Sequence, residues 1–227
     1  MRFSVAGVPT FAATGGQGFD TERLPVVFLH GAGMSHVTWV LQSRHLAHHG
    51  CSVLALDFPG HGDSDGHPLK DISAMADWVA QALTALNVTQ AVIIGHSMGA
   101  LVALEMAARH AVLVRSLILL GAAAAMPVHP ALLEAAKTNP EKAAALIVEW
   151  GHGIRGQVGG APTPGLWLAG GAALLGTGAA FAALAQSASN ATLNATGAPD
   201  PSPPNAARRA PGIAQRAARR AHGSATA

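Results

Sequence analysis

Four short apolar runs confine what this chain can fold into: Val26-Val27-Phe28-Leu29, Val53-Leu54-Ala55-Leu56, Ala91-Val92-Ile93-Ile94 and Val114 to Leu120. Each has the length of a strand, and only the last carries polar residues, Arg115 and Ser116. Helical patterns lie between them; Ile72 to Leu86 has apolar residues at 72, 75, 79, 82, 83 and 86, a helical period. Continuous apolar strands alternating with helices bury both faces of a parallel sheet. The expected class is therefore α/β, a mostly parallel sheet with flanking helices. An opening hairpin is expected around residues 3–6 and 9–13. Ser35 is placed to cap a helix running to about His48. Further helices are expected from Ser97 to about His110 and from Pro130 to Trp150, the latter interrupted near Asn139-Pro140.

The 227 residues suffice for one such domain, and with 50% hydrophobic residues the core can be sizeable. The single cysteine, Cys51, cannot form an internal disulfide. It fits a reducing compartment and a buried structural thiol. Met1 to Val5 lacks the long apolar core of a secretory signal, so the expected location is cytoplasmic. The formal charge of +2 hides an asymmetry. Residues 1–155 hold 9 Lys/Arg and 11 Asp/Glu, a net of −2; residues 156–227 hold 5 Arg and 1 Asp, a net of +4. The basic tail lacks interleaved aromatics, which argues against a nucleic-acid partner.

The chemistry concentrates at strand ends. Gly95-His96-Ser97-Met98-Gly99 follows an apolar strand and opens an Ala/Leu-rich helix. A serine between two glycines at such a junction is a nucleophile elbow: the glycines permit a turn that lifts the Ser97 hydroxyl clear of the backbone. The helix that follows points its positive end at the site. His30-Gly31-Ala32-Gly33 also joins a strand to a helix, and such a turn can aim a backbone N–H at a developing oxyanion. A dinucleotide loop is disfavoured there, because His36 stands where a third glycine belongs. Asp57-Phe58-Pro59-Gly60-His61-Gly62-Asp63-Ser64 closes another strand. Asp57, His61, Asp63 and Asp65 lack an EF-hand pattern, so the segment reads as a tight polar turn. His45, His48 and His49 read as a solvated helix face rather than metal ligands.

These three motifs, in this order and spacing, resemble the α/β-hydrolase family over about residues 1–155. The resemblance implies Ser97 as nucleophile and the Met98 N–H as one oxyanion donor. Ala32 is implied as the second donor, with Gly33 as alternative. It implies no metal, no organic cofactor and a small ester or other acyl substrate. It divides the chain into the N-terminal part of a hydrolase core (1–121), a partial helical lid (122–171) and a low-complexity tail (172–227). Apolar residues of the lid (Leu132, Leu133, Leu146, Ile147, Trp150) suit either an apolar acyl group or core packing.

The family's triad continues from the serine to an acid and then a histidine. After Glu149 the only acidic residue is Asp200, and after His152 the only histidine is His222. Their order fits, but neither follows an apolar strand that would hold it in reach of a partner. His30, His61, His96 and His152 are no better placed as bases. From Gly156 to Pro199 no residue is charged, and the sequence then turns to Ala, Arg, Pro and Ser, a composition that cannot offset its ordering entropy. The expectation is a hydrolase with its C-terminal strands missing, a disordered or low-complexity tail, and a reading-frame change near residue 172. Its activity is expected to be impaired, and Val114 to Leu120 to form an exposed apolar edge. Two alternatives are a non-catalytic remnant and membrane association through the charge-free stretch 164–185.

Overall fold

The computed structural model describes residues 1–123, 125–151, 157–158 and 161–162. Its main sheet has six strands: β1 (Arg2–Val5), β2 (Val8–Ala13), β3 (Pro25–Leu29), β4 (Ser52–Leu56), β5 (Ala91–His96) and β6 (Val114–Leu120). Their spatial order is β1-β2-β4-β3-β5-β6. The β1–β2 hairpin is antiparallel and pairs antiparallel with β4, whereas β4, β3, β5 and β6 run parallel. The helices are α1 (Val40–His48), α2 (Ile72–Ala85), α3 (Met98–Arg109), α4 (Pro130–Thr138) and α5 (Pro140–Gly151), with 3₁₀ turns leading into α1 (His36–Trp39) and into β6 (Ala111–Leu113).

Both faces of β3, β4 and β5 are buried, as their unbroken apolar character requires, whereas β6 is largely exposed. Val27, Leu29, Leu54, Leu56 and Ile93 pack against Met75, Val79 and Leu83 of α2 and Val102 and Met106 of α3. The alternate residues Val26, Phe28, Val53, Ala55 and Ile94 pack on the opposite face against Trp39 and Ala47. Cys51 is half-buried against this second cluster rather than enclosed by it. Ser35 Oγ accepts the Val37 N–H (3.4 Å), so the cap expected from the sequence opens the 3₁₀ turn and α1 begins four residues later. Asp71 Oδ1 accepts the Ala74 N–H (2.7 Å) and caps α2.

Asn139-Pro140 divides the last helical stretch as the missing proline N–H demands. Asn139 Oδ1 accepts the Lys142 N–H (3.0 Å) and starts α5. The two short helices form their own small core of Ala135, Ala136, Ala143, Ala144 and Val148, joined by Leu132, Leu133, Leu146, Ile147 and Met34. Four of the five apolar residues considered for substrate contact thus pack between α4 and α5. The fifth, Trp150, lies against His129, ring centres 5.1 Å apart. Beyond β6 the described residues add only β7 (Gln157–Val158) and β8 (Ala161–Pro162), a two-residue antiparallel pair that the composition did not disclose. The tail expected at 172–227, with its reading-frame change, lies outside the described residues, as does the stretch 164–185. No helix among the described residues is long and apolar enough to cross a membrane.

Candidate active site

Ser97 stands between the end of β5 and the first residue of α3, with φ 54° and ψ −115°. A side chain rarely adopts a positive φ, and a residue held there stores strain. Three backbone contacts over-determine the turn. The Ser97 N–H donates to Leu120 O at the end of β6 (2.9 Å), and Ser97 O accepts the N–H groups of Ala100 (3.0 Å) and Leu101 (3.3 Å). A Cβ at Gly95 would collide with the backbone of Gly99 and Ala100. A Cβ at Gly99 would collide with the backbone carbonyls of Leu29 and His30. The glycines therefore let α3 descend directly onto the ends of β5 and β3.

That close approach places the His30–Gly33 loop beside the elbow. A Cβ on Gly31 would lie 3.1 Å from His96 Nδ1 and 3.2 Å from Met34 Sδ. Met34 in turn reaches the α4–α5 core, so the loop lies between the elbow and the helical pair. The Ala32 N–H has no acceptor among the described residues. The Met98 N–H, in the first turn of α3, has none inside its helix. Two backbone donors thus stand on the two loops that flank Ser97, whose side chain is half-buried.

The imidazoles near these loops are committed elsewhere. His30 is fully buried; its Nδ1–H donates to Gly31 O (2.8 Å) and its Nε2 accepts the Phe58 N–H (3.2 Å). Burial, and then the neighbouring His61 ring, drive its pKa down to about 3. His61 donates from Nδ1 to Pro59 O (3.0 Å), and its Nε2 is buried without a hydrogen-bond partner among the described residues. Burial pushes its pKa down. His96 packs edge-on to Trp39, ring centres 6.4 Å apart, with Nδ1 buried and unpartnered among the described residues. Its pKa is also lowered by burial. No imidazole nitrogen of the described residues is hydrogen-bonded to the Ser97 hydroxyl. Asp200, His222 and His152 lie outside the described residues.

Two histidine–carboxylate pairs among the described residues were not foreseen: His110 Nε2 meets Asp77 Oδ1 (2.7 Å) at the end of α3, and His36 meets Asp57. Asp57, fully buried just past the end of β4, receives the His36 N–H on Oδ1 (2.6 Å) and His36 Nδ1 on Oδ2 (2.8 Å). The Asp63 N–H adds a third bond to Oδ2 (2.9 Å). The hydrogen bond to Asp57 raises the His36 pKa. The signal was present: an aspartate closing an all-apolar strand must be paired if it is buried. Neither His36 nor Asp57 is hydrogen-bonded to Ser97. The His36 ring lies tilted beside Phe11 of β2, centres 4.8 Å apart, and Asp57 closes β4, two strands from β5. The turn holding Asp57, His61 and Asp63 is thus a hydrogen-bonded polar turn. Among the described residues no group of three or more His, Cys, Asp or Glu is gathered to hold a metal ion. His45 and His49 stack on each other (4.1 Å), and His48 Nδ1 meets Gln17 Nε2 (3.2 Å).

A mostly parallel α/β sheet with a strained serine at a strand-to-helix turn, beside a second glycine loop, has the form of a nucleophile elbow on an α/β-hydrolase sheet. The family model for the alpha/beta hydrolase fold matches residues 25–155, and the chain belongs to that family. It is 39% identical over 109 residues to a pimeloyl-[acyl-carrier protein] methyl ester esterase of Chromobacterium violaceum, covering 48% of this chain and 39% of that protein. It is 34% identical over 82 residues to an (E)-2-((N-methylformamido)methylene)succinate hydrolase of Acinetobacter baylyi, covering 36% of this chain and 31% of that protein. The chain thus matches well under half the length of these curated relatives. Its fold is shared with a thermophilic esterase from Thermogutta terrifontis at a TM-score of 0.63 and 21% identity, over 83% of this chain and 72% of that one. Relatives of this family include esterases, haloperoxidases, an acetyltransferase component and hydrolases.

Proposed function

We propose that Ser97 is the nucleophile of an esterase-type site acting on a small ester or other acyl substrate. The observation that carries this reading is the φ of 54° at Ser97, a strained conformation kept where a hydroxyl must stand clear of its own backbone. In the proposed reaction Ser97 Oγ attacks the acyl carbon, and the N–H groups of Met98 and Ala32 receive the oxyanion as it forms. Each such donor is worth about 3–4 kcal/mol in the transition state. The alcohol leaves as the acyl-enzyme forms, and water then releases the acid. Both steps need a base to take a proton from the attacking oxygen.

The second part of the proposal is that this chain performs the reaction poorly. His30, His61, His96 and His36 each have a packing or pairing role and none engages Ser97. Loss of the triad histidine lowers turnover by about a million-fold, leaving only binding and oxyanion effects. A fluorophosphonate probe and a series of short-chain activated esters test both parts. Faint labelling of the 227-residue chain, abolished in Ser97→Ala, is the expected result. Labelling that survives in Ser97→Ala would remove Ser97 from the reaction. Robust turnover that disappears in His222→Ala or Asp200→Ala would instead identify a working triad and overturn the impairment. Binding of ester analogues with no labelling at all would favour a non-catalytic remnant.

A further inference from the structure

We propose that Asp57 and His36 are positioning residues of the Ser97 site: together they clamp the loop of residues 30–36 so that the Ala32 N–H is aimed at the elbow, a role that rests on Ala32 being an oxyanion donor. Neither is hydrogen-bonded to Ser97. They act through the loop that carries the donor.

Asp57 is a fixed post. It is fully buried, and a buried carboxylate is tolerated only where donors replace its water. Its main chain is tied on both sides: the Asp57 N–H donates to Phe11 O of β2 (3.1 Å), and Asp57 O accepts the Ser64 hydroxyl (2.8 Å). The turn that follows closes tightly on the carboxylate, because a Cβ at Gly62, whose φ is 52°, would collide with its oxygens. Among the described residues that turn supplies the carboxylate with one bond, from the Asp63 N–H. The other two come from His36, 21 residues away in sequence, through its main-chain N–H (2.6 Å) and its ring Nδ1 (2.8 Å). Holding main chain and ring together fixes orientation as well as position. The His36 ring also lies against Phe11, centres 4.8 Å apart.

The residue next to Asp57 holds the opposite end of the same loop. The Phe58 N–H donates to His30 Nε2 (3.2 Å). Between these two anchors lies one turn, Gly31 to Met34, closed by the Met34 N–H on Gly31 O (3.2 Å) with Gly33 at φ 64°. Ala32 sits inside that turn. With both ends pinned, the direction of its N–H follows from where residue 36 is held. Release of His36 leaves the turn free to rotate about its remaining anchor. Stability alone does not account for the arrangement, since apolar residues of similar volume serve a buried site as well as an ion pair does. What the pair adds is a fixed geometry for the loop.

The test uses the complete chain and single-turnover acylation by p-nitrophenyl acetate, read from the mass of the Ser97 peptide. His36→Ala and His36→Leu remove the ring donor, the second keeping an apolar contact with Phe11. His36→Asn keeps a donor where Nδ1 stands. Loss of one oxyanion donor lowers the rate by about 10²–10³. A donor still present but poorly aimed should cost less, about tenfold in the maximal acylation rate, with the half-saturating ester concentration unchanged. His36→Asn should restore the rate. In the Ala and Leu variants the Met34 amide should exchange with solvent faster, while the amides of β3 and β5 keep their protection; in His36→Asn it should exchange as in the wild type. Equal acylation rates in all four chains would overturn the proposal and leave the role of Ser97 intact. A wild-type chain that is not acylated at Ser97 would refute that role instead, and the Met34 amide then decides: faster exchange reversed by His36→Asn upholds the clamp, and unchanged exchange overturns it. Protection lost throughout the sheet, or failure of both the Ala and Leu variants to fold, would make the pair a determinant of the fold and overturn the proposal as well.

Discussion

At the scale of single residues, Ser97 pits stability against placement. Its φ of 54° and ψ of −115° would suit glycine far better than any residue with a Cβ. Replacing it separates the cost of the hydroxyl from the cost of the conformation. Ser97→Ala keeps the Cβ and the strain, whereas Ser97→Gly removes both. Strain of this kind costs about 1–3 kcal/mol, partly offset by the greater unfolded-state freedom of glycine. The glycine variant should therefore be the more stable of the two by about 1 kcal/mol in urea unfolding. An alanine variant equal to or above the glycine one would mean that the turn is relaxed. The serine, its glycines and its position between strand and helix were all legible in the sequence, because a turn this tight has a strict residue requirement. The His36–Asp57 pair was not, since 21 residues separate its members and their meeting depends on β3 and β4 being neighbours.

At the scale of elements, the elbow works because α3 sits on the strand ends with no side chain between. Gly99→Ala tests that contact. Its Cβ would strike the carbonyls of Leu29 and His30, which belong to backbone and cannot swing aside. Overpacking of a tight contact costs about 1–3 kcal/mol, and here relief requires α3 to move away from β3. The expected outcome is a lower urea midpoint together with loss of whatever Ser97 labelling the wild type shows. Unchanged stability would mean that α3 and β3 are less tightly apposed. The strands themselves were readable from their apolar runs, and β6 was placed at 114–120 by the same signal. Its exposure was expected as well, because no strand pattern follows Leu120; among the described residues β6 ends the sheet order, and Ile118, Leu119 and Leu120 are exposed. The helices α4 and α5 show the converse: they and the break at Pro140 follow from sequence, but the destination of Leu132, Leu133, Leu146 and Ile147 depends on how α4 meets α5.

At the scale of the whole molecule, the histidines make the fold answer to pH in two opposite ways. His30 has a folded pKa of about 3, set chiefly by burial, against about 6.5 in an unfolded chain. Below about pH 6.5 the unfolded state binds a proton that the folded state refuses, so the stability His30 contributes is lost as pH falls. By about pH 3 this linkage reaches roughly 5 kcal/mol, comparable with the total stability of a small domain. His61 and His96, also lowered by burial, act in the same direction. His36 acts in the other. Its pKa is raised by the hydrogen bond to Asp57, with burial opposing and the charges of Asp57 and Asp63 adding support. Its contribution is fully present below about pH 6.5 and is lost as pH rises through its raised folded value. In acid the three lowered imidazoles therefore set the slope, since His36 is protonated in both states there. The urea midpoint should thus fall steadily from about pH 6.5 to pH 4. His30→Gln, whose amide can still donate to Gly31 O and accept from the Phe58 N–H, should flatten that fall. His36→Gln should lower the midpoint over this range without changing its slope, because the His36 contribution is already complete below about pH 6.5. A midpoint independent of pH over this range, or a His30→Gln variant with the wild-type slope, would show that His30 is charged inside the fold, contrary to its burial.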